Sequence, residues 1–262
     1  VGRVLGLLIG VCALFGLAIG SFLNVVIYRV PRQQSIVRPR SACPACGASI
    51  LERDNIPVIS WLLLRGRCRH CHSPISWRYP LVELACAGLF AGAAARIGEN
   101  WMLPAYLVMF ASLLALSWID VEHLVLPKRI VYPTIAAMSA LMLLAAAIYG
   151  EWHNLLIAAI FAVGWFLVFF GLNALDPRYL GFGDVRLAPI LGLGLGWFGW
   201  KYVLLGFFAA NFIGASIAIT LIAAKKMRRD QQIPYGVFLA LGTALTVFAG
   251  PEMVSSLHRF IQ

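Results

Sequence analysis

The stretch from Asn154 to Asn173, NLLIAAIFAVGWFLVFFGLN, runs its whole length without a charged side chain. About 20 such residues in a helix cross the hydrocarbon core of a bilayer, because a helix satisfies its backbone polar groups internally where water is absent. Comparable runs lie at about 5–28, 80–97, 101–119, 131–149, 187–200, 202–224 and 234–250, making eight expected spans. The run at 187–200 is short and glycine-rich, and interrupted membrane segments often mark a site. Composition agrees: of 262 residues, 61% are hydrophobic and 12% charged, with mean hydropathy +0.84. A soluble domain of this size needs far less apolar side chain, so an all-α multi-pass membrane protein is expected. The first apolar run is too long to be a removable signal and lacks a convincing cleavage site before its polar flank.

The net charge of +10 would suggest nucleic acid in a soluble protein, but here it separates by loop. One set of loops holds Arg29, Arg32, Arg38, Arg40, Arg53, Arg65, Arg67, Arg69, Arg78, Lys128, Arg129, Arg178, Arg186, Lys225, Lys226, Arg228 and Arg229. The other holds Arg3, Arg96, Lys201 and Arg259. That asymmetry places the polar segment 29–79 in the cytoplasm. It also accounts for most of the charge, so no nucleic-acid partner is expected. Membrane lipid is, with anionic headgroups a suitable contact for the basic cluster Lys225–Arg229. The chain order suggests a first transmembrane helix (1–28), a cytoplasmic metal-binding domain (29–79) and a membrane domain (80–262).

Within 29–79, Cys43, Cys46, Cys68 and Cys71 form the pattern C-x2-C-x21-C-x2-C. Each pair makes a knuckle presenting two thiolates, and two knuckles complete a tetrahedral zinc site with no open position, hence a structural one. A reducing cytoplasm disfavours the alternative of two local disulfides. His70 and His72 stand beside the second knuckle as substitute ligands or, more simply, as surface residues. Cys12 and Cys86 lie in apolar spans and read as small buried side chains.

Two acids stand out. Asp184 follows Gly181-Phe182-Gly183 at the mouth of the short span, and Asp120 closes the third. A carboxylate near lipid depth costs roughly 2.5–3.5 kcal/mol at a helix centre and less toward its ends, so such a residue usually has work to do. The simpler reading of Asp184 is a helix N-cap, with the glycines as loop. The glycines also permit positive φ before the helix and close approach of another backbone. The topology puts Asp120 and Asp184 on the same side. A close pair of carboxylates shares a proton, so one can activate water while the other protonates a scissile carbonyl. Glu122 and His123 are nearby alternatives, although two residues along a helix turn Glu122 away from the Asp120 face.

The sequence Gly181-Phe182-Gly183-Asp184-Val185-Arg186-Leu187 resembles the GxGD signature of intramembrane aspartyl proteases, and Asp120 with Pro127 resembles the partner motif of bacterial type IV prepilin peptidases. Gly20–Arg29, the paired cysteines, Asn55–Leu62, Tyr79–Glu83 and Ile233–Leu239 resemble further stretches of that family in the same order. The resemblance implies an inner-membrane aspartyl endopeptidase. Such enzymes remove the basic leader of prepilins and pseudopilins of type IV pili and type II secretion on the cytoplasmic side, after a glycine. Many of them then methylate the new N-terminus with S-adenosylmethionine. It implies Asp120 and Asp184 as the catalytic pair, Gly181 and Gly183 as the residues giving the aspartate room, and the cysteine tetrad in a domain associated with methyl transfer. Asn24 and Glu83, polar residues at the ends of the first two spans, are candidates to bind the cofactor or the substrate amine, or else interhelical hydrogen bonds. Lys128 and Arg186 depart from the residues many members carry there, which bears on local electrostatics rather than on the acids. A scaffold or transporter with a zinc ribbon, and a presenilin-like protease, are the competing readings.

Overall fold

The structure is a computed structural model that describes residues 2–176, 180–226 and 233–261. Arg178, Arg228 and Arg229, three of the charges used for orientation, lie outside the described residues. The described chain is helical, and it divides into two compact units, Val1–Glu99 and Asn100–Gln262.

In the first unit, α1 (Gly2–Arg29) packs along α3 (Arg78–Ile97). Gly16 and Gly20, one turn apart, make the contact possible. A Cβ on Gly16 would lie 2.7 Å from Ala87 Cα, and one on Gly20 would lie 2.6 Å from Glu83 Cα. Lipid tails are as apolar as leucine, so membrane helices gain by van der Waals contact at such small-residue faces. Asn24 adds a polar tie, its Nδ2 donating to Tyr79 O at 3.2 Å and to Gly20 O at 3.3 Å.

Between these helices the chain forms two knuckles of one design. Cys43 N donates to Ala48 O and Gly47 N to Cys43 O, while Cys68 N donates to Ser73 O and His72 N to Cys68 O. The fifth residue of each has positive φ, +71° at Gly47 and 57° at His72. His72 is therefore an exposed turn residue occupying the glycine position. A 3-10 helix (Glu52–Asn55) and α2 (Ile59–Leu63) join the knuckles, and Trp61 Nε1 donates to Ile75 O at 3.2 Å.

The second unit holds α4 (Leu103–His123), α5 (Lys128–Tyr149), α6 (Trp152–Leu175), α7 (Phe182–Gly196), α8 (Trp200–Ala223) and α9 (Tyr235–Ile261). Among the described residues, seven helices, α1, α3–α6, α8 and α9, are long and apolar enough to cross a membrane. The remaining expected span, 187–200, is α7, which starts earlier than its apolar run and has 15 residues. At 1.5 Å per residue it reaches about 22 Å, short of a hydrocarbon core of about 30 Å. Its neighbours enclose it instead, and from Asp184 to Gly196 most of it is buried. Gly192 and Gly196 are pressed on α6, where a Cβ would stand 2.6 Å from Ala162 Cα and 2.8 Å from Ala158 Cα. Tyr106 of α4 donates to Gly194 O at 2.5 Å, and Ser112 bonds Thr134 across α4 and α5 at 2.7 Å. Outward side chains such as Phe212 (75% exposed) and Leu167 (58%) give the unit an apolar perimeter suited to lipid.

Candidate active site and metal centre

Asp120 and Asp184 come from opposite kinds of helix end. Asp120 lies in the last turn of α4, which continues to His123 and stops where Leu124 adopts φ 52° and donates back to Asp120 O at 2.9 Å. Asp184 is the third residue of α7, so Gly181 and not Asp184 occupies the N-cap position. A carboxylate in a first helical turn faces the positive end of the helix dipole. Both acids are buried, at 6% and 8% exposure. They lie within electrostatic reach of each other.

The glycines act through space rather than through backbone freedom. Gly181 has φ −66° and Gly183 is helical, so the expected positive φ is not used. A Cβ on Gly183 would stand 3.2 Å from Leu126 Cβ, and one on Gly181 would stand 3.3 Å from Asp184 Oδ2. Leu126, buried in the connection from α4 to α5, also meets the start of α9, where a Cβ on Gly236 would lie 3.2 Å from its Cδ1 and 3.0 Å from Asp120 Oδ2.

Ile233–Leu239 stood out in the sequence by its resemblance to the family, but its contact with Asp120 did not. Gly236 N donates to Asp120 Oδ2 at 3.1 Å in a buried bond. The first amides of a helix have no intrahelical acceptor and carry partial positive charge, so Asp120 completes α9 as α9 orients Asp120. Tyr235 donates to Asn211 Oδ1 at 3.3 Å and also lies within electrostatic reach of Asp184. The usable signal was Pro234-Tyr235-Gly236, a proline and a glycine opening an apolar helix. Glu122 and His123 are exposed and lie 3.9 Å apart. Arg186 stacks its guanidinium over the Phe182 ring at 4.5 Å.

The cysteine tetrad is assembled. The Sγ atoms of Cys43, Cys46, Cys68 and Cys71 all lie within 4.8 Å of one another, and all four are free thiols. Cys43 and Cys71 sulfurs are 3.8 Å apart. Four thiolates each about 2.3 Å from one tetrahedral ion stand about 3.8 Å from each other, so the donor set fits a metal ion. The amides of Cys46 and Ala45, aimed at the Cys43 sulfur, lower its pKa to about 6 and favour the ligating thiolate at neutral pH. Outside the tetrad, Arg69 forks onto Asp54, with Nε and Nη2 donating at 2.8 and 2.6 Å, and so holds the second knuckle to the 3-10 helix. That bond, with the guanidinium charge, keeps the Asp54 carboxyl below its usual range.

The two low-lying polar candidates in the first unit both have internal partners. Asn24 serves the α1–α3 contact, its Oδ1 buried without a partner, and Glu83 Oε2 accepts the Val58 amide at 2.7 Å.

These features define a multi-pass helical membrane protein with a buried pair of carboxylates at helix ends and a four-cysteine centre able to hold a metal. Residues 14–97 match the Bacterial Peptidase A24 N-terminal domain and residues 107–219 the Type IV leader peptidase family, one stretch in each unit. Several relatives carry the name prepilin leader peptidase/N-methyltransferase. That of Burkholderia pseudomallei (strain 1026b) is 34% identical over 94% of this chain and 86% of its own length. That of Stutzerimonas stutzeri is 33% identical over 95% and 93%, and that of Myxococcus xanthus (strain DK1622) is 41% identical over 80% and 62%. The chain belongs to the type IV leader peptidase family. No solved structure matches it.

Proposed function

We propose that this protein is a prepilin peptidase of the bacterial inner membrane that cleaves leader peptides after glycine on the cytoplasmic side and then N-methylates the new terminus. The observation carrying the reading is the buried pair Asp120 and Asp184, brought together from α4 and α7 in a member of this family. In the reaction, one carboxylate takes a proton from water, whose oxygen attacks the scissile carbonyl carbon. The other, protonated, gives its proton to the carbonyl oxygen. The tetrahedral intermediate then collapses: the C–N bond breaks as the nitrogen takes the proton that the first carboxylate removed from water, and a hydroxyl of the intermediate returns its proton to the second carboxylate as the C=O re-forms. Gly236 N keeps Asp120 oriented, and Gly181 and Gly183 leave room beside Asp184.

The substrates are prepilins or pseudopilins, whose basic leader and hydrophobic helix suit a site at headgroup depth with lipid around it. Chain order assigns a first membrane helix to 1–28, the cytoplasmic metal domain to 29–79 and the peptidase to 80–262. Zinc is the metal for the cysteine tetrad, since a closed set of four thiolates is a structural site. S-adenosylmethionine, when bound, supplies an electrophilic methyl group to the free amine. Family membership weighs against the scaffold or transporter alternative.

The test is incubation of the purified protein with a prepilin and methyl-labelled S-adenosylmethionine. Cleavage is read by mass and methylation by label. Cleavage that survives Asp184→Asn ends the aspartyl mechanism, and uncleaved substrate with the wild-type protein ends the peptidase assignment.

A further inference from the structure

A cavity of about 510 Å³ opens beside the last turns of α1, under the loop that leads into the first knuckle. Its size is that of a small-molecule site. Phe22 and Val25 of α1 and Pro57 supply apolar surface, and Arg40, Glu52 and Asn55 supply polar ends. Glu52 and Asn55 are first and last residues of a 3-10 turn, where side chains three apart eclipse, so the two groups present to one side. Among the described residues, neither Arg40 nor Glu52 makes a side-chain hydrogen bond or ion pair. A free guanidinium and a free carboxylate on one cavity complement a ligand carrying both charges.

The walls are fixed by other groups. Arg29 donates to Ser35 O at 3.0 Å and to Pro39 O at 2.9 Å, which sets the overhanging loop. Ser60 Oγ accepts from Ile56 N at 3.0 Å and donates to Arg53 O at 2.9 Å. Next to Pro57, Val58 has φ 59° and ψ −50°, a conformation β-branched residues rarely adopt. The buried Glu83 carboxylate holds it through the Val58 amide, and Ser21 on the cavity wall approaches the same carboxylate. Strained backbone persists where its surroundings over-determine it, commonly at ligand sites.

We propose that this cavity seats S-adenosylmethionine, with Arg40 on its carboxylate, Glu52 facing its ammonium and sulfonium charges, Asn55 on a polar edge and Phe22 against the adenine. The inference rests on the methyltransferase reading above. The donor set fits the molecule: Arg40 is a free cation for its one anion, Arg29 on the same wall being engaged by Ser35 O and Pro39 O, and there is one anion for its cations and an aromatic face for its base. Glu83 is a positioning residue in this scheme, acting on the cavity through Val58.

The experiment uses the full chain in detergent or nanodiscs. Equilibrium dialysis with labelled S-adenosylmethionine compares wild type with Arg40→Ala, Glu52→Ala and Glu52→Gln. Loss of a hydrogen bond to a charged group weakens binding about tenfold or more. That weakening is expected with leader cleavage and cysteine-bound metal unchanged, both of which report an intact fold. Ultraviolet crosslinking of the labelled donor should place the label between Phe22 and Pro57. Wild-type affinity in all three variants, or label only elsewhere, overturns the cavity assignment while methyl transfer stands, and a lipid headgroup filling the cavity gives this result. A wild-type protein that neither binds the donor nor methylates overturns the methyltransferase reading and this inference with it.

Discussion

Gly236 and Asp120, 116 residues apart in the chain, are joined by a buried hydrogen bond of 3.1 Å from amide to carboxylate oxygen. The glycine keeps that point clear, because a Cβ would lie 3.0 Å from the same oxygen and 3.2 Å from Leu126 Cδ1, tight enough that both side chains would have to give. Gly236→Val should push Asp120 out of register with Asp184. A displacement of about 1 Å in a reacting group can cost on the order of 100-fold in rate. Prepilin processing should fall by about that factor while protein level is maintained. Processing at the wild-type rate would show that Asp120 tolerates the shift.

Replacing either aspartate separates chemistry from architecture. Asparagine at position 120 retains an oxygen to accept the Gly236 amide, so α9 stays capped, but it can no longer exchange a proton. Acid–base catalysis contributes about 10²- to 10⁴-fold, so Asp120→Asn should lose at least that much cleavage with thermal stability little changed. Asp120→Leu strands the amide as well, adding about 1–3 kcal/mol of destabilisation. Equal melting temperatures for the two variants would contradict the capping role.

The α1–α3 contact makes a separate prediction about the first unit. At Gly20 the neighbour is backbone, Glu83 Cα 2.6 Å from a built Cβ, and it cannot rotate away. Gly20→Leu should force α1 off α3, at an overpacking cost of about 1–3 kcal/mol or more. The same shift strains Asn24's bond to Tyr79 O. Greater protease sensitivity of the 29–79 segment, relative to a Gly10→Leu control in open space, is the expected readout.

Acid should release the metal. The Cys43 thiol falls from an ordinary 9.0 to about 6 because the Cys46 and Ala45 amides favour its thiolate. A depressed pKa contributes stability that is complete above 9.0, declines as pH falls and is gone once pH has passed through about 6. Bound metal competes with the proton, so half-release should come below pH 6. Metal content after dialysis across pH 4–8 measures this. Retention unchanged down to pH 4 would refute four-thiolate ligation, and Cys43→Ser should move release to higher pH.

The amino-acid sequence by itself determined the helical membrane class, the approximate spans, the cysteine tetrad and the two special acids. Each is local: an apolar run declares its environment, a C-x-x-C knuckle is closed by neighbours such as Gly47 and Cys43, and an acid in an apolar context stands out. Tertiary structure decided the rest. Hydropathy does not say which face of one helix meets which face of another, so Leu126 wedged between Gly183 and Gly236, and Gly20 seated on Glu83, were invisible in sequence. Asp184 read as a possible cap until α7 began at Phe182, which makes Gly181 the cap and places Asp184 within the first turn. Glu83 and Asn24 read either as ligand contacts or as interhelical hydrogen bonds until the fold supplied Val58 and Tyr79 as partners. Buried polar atoms must find partners, and those partners are set by long-range packing that periodicity does not encode.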